Sequence, residues 1–147
     1  MKIVITDVTD MRGGHICVAG WSLDEERMIR PLHGSGHYHW NTNMARDDLL
    51  CPGNIITIKP SGQLPVRGNP HAAEDYLIIG EPALSGNLSD VDMVQTATGS
   101  VHDSVQSMFG DLFSVEHFVP EDEGFCSLGA IETQSRRMGF DNNYEKL

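Results

Sequence analysis

The sequence predicts a mainly β chain with short helices. Its core is expected to be an OB-like five-strand Greek-key barrel over about residues 1–82. A helical segment and a partial second β unit follow. Two short β-prone runs, Ile16–Trp21 and Arg27–Arg30, flank Asp24-Glu25-Glu26, where solvated carboxylates and an Asp that can bond its own backbone favour a turn. A strand-like run precedes this hairpin, and a short helix separates it from two further strands. That order, with a helix between the third and fourth strands, is the order of an OB fold.

The elements follow in turn. Lys2–Thr9 alternates Ile3, Ile5 and Val8 with Lys2, Val4 and Thr6, a first strand. Gly13-Gly14 gives the next loop backbone freedom for positive φ. Pro31 is expected to end the second hairpin strand, because it has no N–H to donate. The loop from His33 to Trp40 is polar, aromatic and rich in glycine. Asn41 or Thr42 caps a helix reaching Leu50, with Met44, Leu49 and Leu50 inward, and Cys51-Pro52-Gly53 stops it. Asn54–Lys59 carries three isoleucines in four residues and is a strand. Tyr76–Gly80 is another.

The second half is divided into a helical connecting segment, 83–124, and the start of a second, incomplete or truncated OB-like unit, 125–147. Ser89 caps a turn containing Val91 and Val94. Ser100 caps a helix whose stripe is Val101, Val105, Met108, Phe109 and Leu112, with Asp103 at its positive end and Gly110 at its close. Phe125–Glu132 is a strand start.

Composition limits the function classes. The chain has 147 residues, 39% hydrophobic and 21% charged, which suits a folded domain rather than a disordered segment. No apolar run reaches the roughly 20 residues of a membrane span, and the N-terminus lacks a secretory pattern. Three scattered cysteines without a C-x-x-C pair suit reduced thiols, so a cytoplasmic protein is expected. The net charge is -11 and uneven. Residues 1–69 hold seven Lys/Arg and seven Asp/Glu, whereas residues 70–147 hold three against fourteen. The acidic half repels phosphate backbones and attracts basic protein surfaces.

Short islands of sequence resemble the dual OB-containing domain family of prokaryotes. They are Lys2–Thr9, Val18-Ala19-Gly20, Ile29-Arg30-Pro31, Gly53–Ile56, His71–Tyr76, Met108-Phe109-Gly110 and Ser127-Leu128-Gly129. The resemblance implies two barrels, the second entered near Cys126–Glu132, and a binding role with no catalytic residue to carry over. The chain departs from that pattern, because only about fifteen residues follow, too few for four more strands.

Three groups of residues carry candidate chemistry. Arg12, Arg27, Arg30, His37, Tyr38, His39 and Trp40, with Trp21, interleave cations and rings as base stacking and phosphate contact require. For Trp21 a place in the barrel wall is preferred over exposure. His71 beside Glu74 and Asp75 has the groups for acid–base work, but a structural cluster with Arg30 is preferred, in which the guanidinium fork of Arg30 pairs with Glu74 or Asp75 and ties the hairpin to the last strand. His33, His37 and His39, with His15, Cys17 or Cys51, have the donor types zinc takes, but lack tight ligand pairs, and a solvated loop is preferred. No metal and no cofactor is assigned. No nucleophile elbow or Walker phosphate loop is present, so no catalytic residue is assigned. The expected function is non-enzymatic binding of single-stranded nucleic acid or a nucleotide. The alternatives are a protein-interaction or scaffold domain that uses the acidic C-terminal half to meet a basic partner and, more remotely, a zinc-dependent hydrolase.

Overall fold

A computed structural model of the chain describes residues 1–33, 39–61, 74–96, 101–113 and 128–132. It is mainly β, with one curled half-barrel sheet and a few short helices. The sheet has seven strands: β1 Lys2–Met11, β2 His15–Ser22, β3 Arg27–His33, β4 Trp40–Asn41, β5 Asn54–Thr57, β6 Asp75–Ile78 and β7 Ala83–Asn87. Their order is β6-β3-β2-β1-β5-β7, and β4 lies off this path against the start of β2.

Strand β1 is the hub, antiparallel to both β2 and β5. Ile3 and Ile5 point into the main core, while Val4 points to the opposite face. A register shift between Ile5 and Asp7 then inverts the alternation, so Val8 packs on the same core as Ile5. One extra residue has this effect because side chains alternate with a period of two. Glycine is required at position 20: a Cβ there would meet the Val4 carbonyl oxygen at 2.7 Å.

The main core joins Ile3, Ile5, Ile16, Val18, Ile29, Trp40, Leu50, Ile56, Ile58 and Ile78. On the outer face, Val4 and Trp21 pack with Met28, Ile55, Leu88 and Met93. Met93 comes from helix α2, Asp90–Thr96, whose first turn is closed by Ser89: its hydroxyl accepts from the Asp92 N–H at 3.2 Å. Helix α1, Thr42–Arg46, starts at Asn41, whose side chain accepts from the Asn43 N–H at 2.8 Å. It stops short of Leu50, because Asp48 turns left-handed (φ 57°), yet Leu50 is still buried.

Strand β6 runs parallel to β3, with Arg30 opposite Asp75 and His33 opposite Ile78. The end of the β5 segment also reaches β6. Ser61 N–H donates to the Leu77 carbonyl at 2.7 Å, Ile79 N–H donates to Lys59 at 2.9 Å, and Pro60 bridges Ile78 antiparallel.

Several expectations are corrected. Pro31 does not end β3, which runs on to His33. The ladder to β2 stops at Ile29, so the missing N–H costs that ladder nothing. Residues 83–87 are not helical: they form β7 along β5, held further by a 2.6 Å bond between the Thr57 and Ser85 hydroxyls. The helix expected from Ser100 starts later. Val101–His102 is strand β8, parallel to β9 (Ala130–Ile131), and helix α3 covers Val105–Phe109. Ser104 and Ser107 close a reciprocal capping box, each hydroxyl accepting from the other's N–H at 3.0 Å. Asp103 therefore precedes the helix. Gly110, at φ 66°, follows its last turn. Among the described residues no helix is long and apolar enough to cross a membrane.

Candidate functional site

The β2–β3 hairpin carries two internal ionic clusters. The first follows from register: parallel pairing sets Arg30 beside Asp75, and the Arg30 Nε donates to the Asp75 Oδ1 at 2.5 Å. The Asp75 side chain is 6% exposed and that of Arg30 24%. Cys17 shares this environment. Burial pushes its thiol pKa up, Arg30 opposes that by charge and by a hydrogen bond, and Asp7 and Asp75 add to it. Glu74 is buried next door, and its Oε1 accepts the Leu128 N–H at 3.3 Å, which ties β6 to the chain entering β9.

The second cluster sits at the hairpin turn. Arg27 Nε donates to Glu25 Oε2 at 2.9 Å, and the Tyr76 hydroxyl donates to the same oxygen at 2.6 Å. Arg27 Nη2 donates to the Tyr76 hydroxyl, and its guanidinium carbon lies 5.3 Å from the Tyr76 ring centroid. The Tyr76 bond, then that of Arg27, holds the Glu25 carboxyl below its ordinary pKa against a burial effect of opposite sign. Burial, followed by the bond to Glu25, raises the Tyr76 phenol.

These contacts sort the residues singled out in the sequence. Arg27 and Arg30 both hold carboxylates of the protein itself. Trp40 is 1% exposed and its indole N–H donates to the Pro31 carbonyl at 2.7 Å. It is a core residue rather than a stacking platform. Trp21 is buried as well. Arg12 and His39 are exposed. They belong to one end of the sheet, because β4 pairs with the start of β2 (His15 opposite Asn41) and Thr42 N–H donates to Gly14 at 3.1 Å. The turn between Arg12 and His15 uses Gly13 and Gly14 at φ 79° and 74°. His33 lies 3.6 Å from Glu81 and tilts against Trp40 with 5.3 Å between ring centroids. His37, Tyr38 and His71 lie outside the described residues. Among the described residues, no three His, Cys, Asp or Glu side chains gather as a metal centre needs.

Sequence reasoning missed Tyr76 and Glu25. Tyr76 was available as the residue after Asp75, facing the other side of its strand. In the sequence Glu25 signals only turn chemistry, because Tyr76 is 51 residues away along the chain. No family model, curated protein or solved structure matches the chain, so the site stands on its own geometry.

Proposed function

We propose that the chain is a non-enzymatic binding module of the OB type that takes single-stranded nucleic acid or a nucleotide at the tip of the β1–β2 hairpin. The observation that carries this reading is the β2–β4 pairing, which sets exposed His39 at the same end of the sheet as the exposed Arg12 turn. Further support for the fold assignment comes from α1 lying between β3 and β5 in the chain, from β6 parallel to β3, and from the Lys59–Ser61 contacts that bring β6 against the chain leaving β5. OB modules bind through their second and third strands and the adjoining loops, including the loop after the first strand. Arg27 and Arg30 position the hairpin in this reading, and Arg12 supplies the phosphate contact.

Fluorescence anisotropy with a labelled oligonucleotide at two salt concentrations tests it. Binding should weaken as salt rises, and Arg12→Ala should flatten the slope by about 0.7–1 if it neutralises one phosphate. Absence of binding at low salt overturns the proposal. A second reading, docking of a basic protein, is favoured by the charge: residues 70–147 carry three Lys/Arg and fourteen Asp/Glu.

A further inference from the structure

A cleft of about 390 Å³ lies between the β2–β3 turn and the C-terminal end of α2. Among the described residues its walls are Trp21, Leu23, Glu26 and Thr96. We propose that this cleft receives a lysine side chain of a basic peptide, its ammonium group held by the Glu26 carboxylate and the Thr96 hydroxyl and its methylene stem lying along Trp21 and Leu23. The assignment rests on the basic-partner reading for its partner class and gives that partner a point of entry.

Three observations support it. The first is the lining. An ammonium ion is attracted to a carboxylate, and the methylene stem of lysine matches the apolar part contributed by Trp21 and Leu23. The Thr96 hydroxyl donates to the Asp92 carbonyl at 2.7 Å, which leaves its oxygen as a further acceptor. The second is charge. Asp24, Glu25 and Glu26 form the turn at one side; Asp90 and Asp92 lie in the first turn of the helix at the other, away from its Thr96 end, and the Asp92 carboxylate accepts from the Ser89 hydroxyl at 2.6 Å. Asp24 is engaged by the Lys2 N–H at 2.7 Å and by the N-terminal ammonium of Met1 at 3.9 Å, and Glu25 by Arg27 and Tyr76, which leaves Glu26 as the carboxylate turned to the cleft. An anionic ligand is disfavoured here and a cationic one is drawn in.

The third is backbone strain. Glu26 has φ 52°, in the left-handed region where glycine is the unstrained choice. Its N–H donates to the Ser22 carbonyl at 2.9 Å and closes the turn. Folding alone is served better by glycine, and strain of this kind concentrates where a side chain is needed for contact.

The test uses the full chain and a labelled Gly-Lys-Gly-Lys-Gly peptide, with norleucine replacing lysine as control. The indole N–H resonances of Trp21 and Trp40 are followed during titration. The expected result is a saturable shift of the Trp21 signal alone, absent with the norleucine peptide. Glu26→Gln should weaken binding about tenfold. Glu26→Gly should weaken it similarly while raising the melting temperature, which separates loss of the carboxylate from loss of folding. Peptide binding that is equal in wild type and Glu26→Gln removes this site but keeps the basic-partner reading. Absence of peptide binding to the wild type overturns both.

Discussion

Arginine 30 is the best place to measure what holds the hairpin to β6. Its Nε is 2.5 Å from an Asp75 carboxylate that is 6% exposed on its side chain. Arg30→Ala leaves that carboxylate in a pocket from which water is largely excluded. Breaking one partner of a buried pair costs about 3–5 kcal/mol, against about 0.2–1 kcal/mol for an exposed pair. Arg30 itself is 24% exposed, which admits some water to the gap and places the expected loss near the lower end, about 3 kcal/mol. With a urea dependence of about 1–3 kcal/mol per molar, the unfolding midpoint should fall by about 1–3 M. The double variant Arg30→Met, Asp75→Leu should recover much of the loss, because no charge is then stranded. A midpoint shift in Arg30→Ala worth less than about 1 kcal/mol, at unchanged slope, would refute the buried-pair reasoning.

Two further outcomes are expected. Trp40→Ala should cost about 3–5 kcal/mol by opening a cavity and orphaning the Pro31 carbonyl; a cost within about 0.5 kcal/mol in chemical denaturation would mark an exposed ring instead. Tyr76→Phe removes the leading cause of the lowered Glu25 pKa. A depressed carboxyl adds stability that is present above its ordinary value, near 4.5, and lost as pH falls through the folded value. The stability gap between wild type and Tyr76→Phe should therefore be full at neutral pH and shrink in acid below about pH 4.5. A gap independent of pH, measured by urea unfolding across that range, contradicts the Glu25 assignment.

Local chemistry made much of the sheet legible. The alternation in Lys2–Thr9, the acidic turn before Arg27, the Gly13-Gly14 pair and the three isoleucines of Asn54–Lys59 each signal their element directly. Strand β7 was hidden because Ala-Leu-Ser-Gly-Asn lacks β-branched residues, and its pairing with β5 supplies what propensity does not. The Ser100 start failed because Val101 suits a helix stripe and a strand equally, and the Ser104–Ser107 box decided between them. At the site, guanidinium chemistry pointed Arg30 toward Glu74 or Asp75. The choice between them needed the parallel register of β3 and β6. Trp40 was harder to read: its glycine-rich neighbours suggest an open loop, while its pairing opposite Ile16 carries the ring into the core.

Gly20 has a consequence for folding errors. It sits opposite Ile5, where the two backbones approach too closely for any Cβ. A hairpin slipped by two residues keeps the same faces and would otherwise be a serious competitor. Such a slip brings Val18 or Ser22 to the tight point, and both carry a Cβ. Competing alignments of β1 with β2 are thus penalised by sterics rather than by loss of hydrophobic contact. Since β1 also templates β5, one missing methyl group proofreads the assembly of three strands.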